Sequence, residues 1–148
     1  LTQVDVDFLF NVTEEQMVRL INALNRNQYV RKFFCYSAPH TPAVCRELAS
    51  LFRVNSVIQD VQFPRRMSND YFRSIAASLH ENTAVQSLEV AHCNLIGREG
   101  GEIIRSLLMH NQSITRLDLS FNGRLGSEGV ASVALGLRDD RCMLKELI

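Results

Sequence analysis

The chain has 148 residues, a length that suits one domain able to bury a substantial core. Sixteen basic and sixteen acidic residues leave no formal net charge, which argues against a general affinity for nucleic acid or for anionic membranes. No apolar run approaches the roughly 18 residues that a membrane-spanning helix needs, so we expect no membrane insertion.

The first predicted unit is a strand followed by a helix. Leu1, Val4 and Val6 supply the apolar positions of the strand. The segment TEEQ at 13–16 is a capping box, which predicts that a helix begins there. Asn27 follows the helical pattern and precedes the next strand.

The second and third units repeat this order with less regular turns. Their apolar strand positions are Val30, Phe33 and Cys35, then Ile58, Val61 and Phe63. Pro42 suits the first turn of the second helix, and Ser68 offers a capping oxygen to the third. Ala38 and Arg66 stand at the ninth position, where later units carry Cys or Asn, so we expect irregular turns there.

The fourth and fifth units show the repeat most clearly. A shift of 29 residues aligns VQSLEVAHCNL at 85–95 with ITRLDLSFN at 114–122. Both segments fit the pattern LxxLxLxx(N/C)xL, with Cys93 and Asn122 at the ninth position, where we expect the side chain to bond otherwise unpaired turn backbone. Ser127 offers a capping oxygen to the fifth helix. Glycines that permit tight turns and close packing gather where turns meet helices: Gly97, Gly100, Gly101, Gly126 and Gly129.

The predicted strand starts recur every 27 to 30 residues. They are Leu1, Val30, Ile58, Val85, Ile114 and Leu144, and the last opens a sixth unit that the chain end cuts short. A second series stands three residues before a strand start: Asn27, Asn55, Asn82 and Asn111. Because asparagine tolerates left-handed backbone, we interpret these residues as ending the helices in that conformation.

One such unit cannot bury its own apolar side, so the units must stack. The predicted fold class is therefore α/β, a right-handed solenoid over residues 1–148 as one domain, with a parallel sheet on its concave face and helices on its convex face. Neither end shows a polar capping unit, so we expect the chain to be a segment of a longer protein.

The unit of strand plus full helix resembles the ribonuclease-inhibitor-like class of leucine-rich repeats. The residues that carry this resemblance are ENTAVQSL at 81–88 and LIGREG at 95–100. The class includes NOD-like receptors, tropomodulin-like and CARMIL-like actin regulators, and activators of Ran-type GTPases. The resemblance implies a horseshoe fold and protein binding. The four cysteines are interpreted as reduced thiols in a reducing compartment, so we expect a cytoplasmic location, with cytoskeletal association if the chain is an actin regulator.

The candidate binding residues are those whose strand or turn position points away from the core. They are Arg31, Lys32, Phe34, Tyr36, Asp60, Gln62, Arg65, Glu89, His92, Arg116 and Asp118. Aromatic and arginine residues are enriched at binding hot spots, so Phe34 and Tyr36, with Arg65 and Arg66 nearby, predict an anchor for an acidic or mixed protein segment. Two alternatives stay open: a flanking segment covers the aromatics, or the charges form an ordinary solvated surface.

The sequence predicts no catalytic activity, no cofactor and no metal. It has no phosphate-binding loop, no GxSxG and no HExxH, and Cys35, Cys45, Cys93 and Cys142 match no zinc spacing. We predict that the chain is a scaffold or regulatory module that binds another protein, and no small-molecule substrate or nucleic acid. The alternatives are a sensor of the NOD-like type, an actin or small-GTPase regulator, or a rod that self-associates through strand edges; the oligomeric state stays open.

Overall fold

The computed structural model describes residues 2–5 and 12–148; Leu1, Val6 and Asp7 lie outside them. The strands are β1 Gln3–Asp5, β2 Lys32–Phe34, β3 Asp60–Gln62, β4 Ser87–Glu89, β5 Arg116–Asp118 and β6 Glu146–Leu147. The helices are α1 Glu14–Leu24, α2 Pro42–Val54, α3 Asn69–Leu79, α4 Gly97–His110 and α5 Gly126–Leu137, the last preceded by a 3₁₀ turn at Gly123–Leu125. Within these described ranges, no helix has the length and apolar composition needed to cross a bilayer.

The six strands form one parallel sheet in the order β1-β2-β3-β4-β5-β6. Each strand pairs with the next across a helical crossover, so every unit lies beside its sequence neighbours. The register joins equivalent positions, with Asp60 opposite Ser87 and Ser87 opposite Arg116. The predicted α/β class with a single parallel sheet is confirmed.

The core lies between the sheet and the helices. The middle residue of each central strand points into it, and Val61, Leu88 and Leu117 are at most 1% exposed. Phe52 of α2, Phe63 after β3 and Phe72 of α3 form a chain of edge-to-face ring contacts, with centroids 5.7 and 6.0 Å apart. Such contacts bind neighbouring units together beyond simple area burial.

Two of the predicted helix starts are confirmed. Thr13 accepts from the Gln16 backbone N–H while the Gln16 side chain accepts from the Thr13 N–H, which completes the capping box. Pro42 occupies the first turn of α2, and Thr41, which the sequence analysis missed, caps that helix through the Val44 N–H.

Two other predicted caps are wrong. Ser68 precedes α3 but its side chain makes no capping hydrogen bond. Ser127 lies inside α5, which begins at Gly126 directly after the 3₁₀ turn. That turn carries the chain into the helix without an extended capping residue, because Leu125 already has helical backbone angles.

Glycines bring α4 and α5 into close contact. A methyl group at Gly101 would overlap the backbone of Gly129 on the neighbouring helix. Gly97 and Gly126, at the two helix starts, have φ near +60°, which L side chains rarely adopt. The predicted roles in tight turns and close packing are confirmed at these four positions.

The asparagines before the strands join neighbouring units, but not as predicted. Asn55 and Asn111 have extended rather than left-handed backbone, and neither Asn27 nor Asn82 has a positive φ. The Nδ2 of Asn82 donates to the Phe52 and Asn55 carbonyls of the preceding unit, while its Oδ1 accepts from the N–H groups of residues 84 and 85. Asparagine is used here for its donors and acceptor, and the left-handed interpretation was wrong.

Candidate partner-binding face of the sheet

One face of the sheet packs on the helices and the other, here called the outer sheet face, does not. Third and fifth strand positions point to the outer face, because successive side chains of a strand alternate between faces. The third positions are Gln3, Lys32, Asp60, Ser87, Arg116 and Glu146, and the fifth are Asp5, Phe34, Gln62, Glu89 and Asp118. The side chains are exposed or half-buried at all of these positions.

Several charges on this face pair with one another. Lys32 Nζ lies 3.3 Å from Asp60 Oδ2, and Arg116 Nε lies 3.1 Å from Glu146 Oε2. Gln62 donates to Glu89 between these pairs. A shallow cleft of about 130 Å³ runs among these side chains. The centre of the outer sheet face is therefore polar and largely ordered by its own contacts.

Glu89 and Asp118 leave unbalanced negative charge at the middle of the face. Burial raises the pKa of the Glu89 carboxyl above its ordinary value, and the neighbouring Asp118 adds to this rise while Arg116 opposes it. Ionised Glu89 is thus held at an electrostatic cost. A cationic group from a partner would relieve that cost.

The predicted aromatic pair is less exposed than the sequence suggested. Phe34 and Tyr36 are both half-buried. Arg65 lies over the Tyr36 ring, with its guanidinium carbon 5.2 Å from the ring centroid, and the Arg65 N–H donates to the Tyr36 carbonyl at 3.2 Å. Arg31 precedes β2 and Tyr36 follows it, so Arg31 stands at the opposite end of the strand. The structure brings Tyr36 and Arg65 together and leaves Arg31 apart.

By strand alternation the residues at the seventh position of each unit should also point away from the core, but two of them are not accessible. Pro64 and Ala91 are both buried. They follow β3 and β4 where the chain turns towards the next helix.

The turns after β3, β4 and β5 each contain a residue with left-handed backbone, and the next residue in the chain is buried. Arg66, His92 and Phe121 have φ of 62, 57 and 60°, and the residues that follow them are Met67, Cys93 and Asn122, all at most 6% exposed. Met67, not Arg66, therefore takes the interior place of the third unit. A one-residue insertion displaces the register there, so the assignment of Arg66 to the ninth position was wrong.

The left-handed residues gather at one edge of the sheet. The His92 and Phe121 rings stack, with centroids 4.1 Å apart and planes 6° from parallel. Together with Arg65, Arg66 and Asn94 they line a cleft of about 390 Å³. We call these five residues the turn-edge cluster. Phe121 is 75% exposed.

Two of the three interior residues, Asn122 and Cys93, bond backbone groups that a buried turn would otherwise leave unpaired. Asn122 Nδ2 donates to the Val90 carbonyl of the preceding unit and its Oδ1 accepts from the Leu95 N–H. Cys93 Sγ donates to the Pro64 carbonyl at 3.4 Å. The turns after β4 and β5 are thereby each tied to the preceding unit.

The fold and these turns agree with the comparison with known families. The family model described as "Leucine Rich repeat" matches residues 81–104 and 110–134, which hold the two most regular units. The chain therefore carries leucine-rich repeats. Its repeats are the strand–turn–helix units described above.

Three known proteins are similar to this leucine-rich-repeat chain. The human protein "NACHT, LRR and PYD domains-containing protein 12" is 28% identical over 97% of the chain, which spans 14% of that relative's length. The solved structure titled "Leiomodin-1 Actin-Binding Site 2 (ABS2)" matches 92% of the chain and 80% of its own, with a TM-score of 0.71 and 21% identity. The tropomodulin C-terminal domain of Caenorhabditis elegans matches 93% and 82%, with a TM-score of 0.75 and 16% identity. At these identities the two structures establish a shared fold.

The buried thiol of the fourth repeat does not suit nucleophilic chemistry. Burial, with a smaller contribution from Glu89, raises the pKa of Cys93 to about 12. The protonated thiol donates to a carbonyl, and the neighbouring His92 stacks on Phe121 instead of approaching the sulfur. The Cys93–His92 pair therefore lacks the thiolate that such catalysis requires.

Phe121 and Asn94, which join His92 in the turn-edge cluster, were not among the predicted site residues. The signal that could have identified Phe121 is its place at the eighth position of the fifth repeat, where side chains point outward. Asn94 has positive φ, and its side chain accepts from Arg124, which brings a third arginine to this edge. Neither contact follows from strand periodicity, because both depend on how consecutive turns stack.

Proposed function

We propose that the chain is a protein-interaction module that holds another protein on its outer sheet face, including the turn-edge cluster. The observation that carries this proposal is the face itself. No helix of the described residues covers it. It presents charged and aromatic side chains that contact one another. Curved repeat stacks with such an open sheet are suited to binding along an extended surface.

The charge pattern indicates the kind of partner. Glu89 and Asp118 make the middle of the face acidic, whereas Arg65 and Arg66 make its turn edge basic. A partner that fits both regions would carry a cationic segment over the strands and an acidic segment over the turns. Complementary potentials of this kind favour specificity and rapid association.

Phe34 and Tyr36 would supply the apolar part of the contact. Both are half-buried next to the basic edge, so a partner side chain could complete their burial at low entropic cost, since neighbouring groups already restrain them. Aromatic residues in this position are frequent hot spots.

Actin is the first partner to test, because one similar structure is titled as an actin-binding site of leiomodin. The alternatives are a ligand-sensing module, favoured by a relative whose name includes NACHT and PYD domains, and a small-GTPase regulator. We propose no catalytic role or cofactor for this module.

Site-specific photo-crosslinking tests the binding face. A photoreactive residue replaces Arg116 on the outer sheet face, and the matched control replaces Arg53, an exposed arginine of α2 in the helix layer. We expect the variant at position 116 to crosslink to purified actin, or to a protein recovered from cell extract and then purified, and the variant at position 53 not to do so. Equal crosslinking at both positions, or crosslinking only between copies of the chain, would contradict the proposal.

A further inference from the structure

The cleft of the turn-edge cluster is cationic and lacks a countercharge. Its lining consists of Arg65, Arg66, His92, Asn94 and Phe121, and no acidic side chain is among these described residues. Neither arginine forms an ion pair with another described residue. The cleft therefore offers guanidinium donors that the protein itself does not use for charge pairing.

Three large residues of the cleft have a backbone conformation that large residues rarely adopt. Arg66, His92 and Phe121 all have left-handed backbone, where glycine or asparagine would fit with less strain. Strained residues persist where the surrounding structure holds them, and they gather at binding sites. The effect of this strain is to place one guanidinium and two stacked rings at one edge.

The turns beneath the cleft are rigid. The Arg66 N–H donates to the His92 carbonyl at 2.7 Å, and the His92 N–H donates to the Ser120 carbonyl at 3.0 Å. The buried residues Cys93 and Asn122 add the side-chain bonds to the preceding units described above. A cleft fixed in this way loses little conformational entropy when it binds.

We propose that this cleft binds an acidic segment of the partner protein, rich in aspartate or glutamate. Arg66, with Arg65 beside it, holds a carboxylate, because the planar guanidinium matches carboxylate geometry in a bidentate manner. The exposed ring of Phe121, backed by His92, packs against an apolar or aromatic residue next to the acid. This inference rests on the proposed function, since it takes the ligand to be part of a protein.

A nucleic acid fits the same surface less well. A phosphate backbone requires a continuous track of cations. The strands that lead to the turn edge carry Glu89 and Asp118, which would repel phosphates on the side where the cationic track would have to continue.

The test is an NMR titration of the isotope-labelled chain with short peptides. The probe peptide alternates aspartate and phenylalanine, the matched peptide has asparagine in place of aspartate, and a short oligothymidylate is the nucleic-acid arm. The variants are Arg66→Asn and Phe121→Asn, chosen because asparagine accepts positive φ and so should preserve folding. Arg53→Gln, an exposed arginine on α2, is the control.

We expect saturable shifts at residues 65, 66, 92 and 121 with the aspartate peptide only. Arg66→Asn should weaken binding by about tenfold, the size expected for losing a hydrogen bond between charged groups. Phe121→Asn should also weaken it, and Arg53→Gln should not. Equal binding of the asparagine peptide, unchanged affinity in a folded Arg66→Asn variant, or shifts at the cleft only with oligothymidylate would each overturn the inference. Photo-crosslinking at position 116 does not depend on this cleft, so the two proposals fail separately.

Discussion

The asparagines that precede the strands form a series, here called the ladder: Asn27, Asn55, Asn82 and Asn111. Replacing a buried member of the ladder should lower the free energy of unfolding more than any surface substitution does. Asn111 is 3% exposed. Its Nδ2 donates to the carbonyls of Leu79 and Asn82 at 2.6 and 2.9 Å. Its Oδ1 accepts from the N–H groups of Ser113 and Ile114 at 2.8 and 2.7 Å. The substitution Asn111→Ala leaves all four backbone groups without these partners in a region that excludes water.

The magnitude follows from counting these bonds. At about 1 kcal/mol each, four hydrogen bonds predict a loss of about 4 kcal/mol in the free energy of unfolding. Asn27 is the matched control at the first position of the ladder, because its Oδ1 accepts from Tyr29 and Val30 but it is half-buried. Asn27→Ala should therefore cost about 2 kcal/mol at most.

Urea unfolding followed by far-ultraviolet circular dichroism measures both variants, with the denaturant slope checked for two-state behaviour. Equal losses at the two positions, or a loss below about 1 kcal/mol for Asn111→Ala, would refute the reasoning that the ladder joins the units through these bonds.

The remaining predictions concern the core, the helix contact and pH. Leu117→Ala should cost about 2–5 kcal/mol because Leu117 is fully buried, whereas Arg116→Ala, whose ion pair is exposed, should stay within about 0.5 kcal/mol; urea unfolding compares them. Gly101→Ala should lower the melting temperature, since its methyl group would overlap the neighbouring helix, and Gly123→Ala should have little effect because nothing lies within 4 Å; a comparable loss at both would contradict the helix contact. Burial, and to a smaller extent the stacked ring of His110, lower the folded-state pKa of His80 from its ordinary 6.5. The unfolded chain therefore protonates this imidazole more readily than the folded chain does as the pH falls. Wild type should therefore lose stability below about pH 6.5, and His80→Gln should lose less in melts over the same pH range.

The strands were predictable because their apolar residues recur at fixed positions. Each central strand buries its fourth-position residue, such as Leu88 or Leu117, so one periodic signal recovers both the fold class and the face of each side chain. The turns were less predictable. Without Asn or Cys to mark the interior place, the sequence alone could not show that Met67, and not Arg66, fills it.

The binding face was only partly accessible to sequence reasoning. Alternation identifies which side chains point away from the helices, but not how far neighbours bury them, and so Phe34 and Tyr36 were expected to be more exposed than they are. The stack of His92 on Phe121 joins residues 29 positions apart through two left-handed turns. Propensity does not reveal it, since large residues avoid that conformation.

The most direct test of the binding face is isothermal titration calorimetry. The titrant is the partner that photo-crosslinking identifies, purified in its free form. The double substitution Phe34→Ala and Tyr36→Ala is compared with wild type and with Arg53→Gln, after circular dichroism has shown that each variant is folded. If the partner binds on the outer sheet face, the double substitution should weaken affinity by several kcal/mol, the sum of about 2 kcal/mol or more for each hot spot, while the control binds as wild type does. Unchanged affinity in the folded double variant would contradict the account.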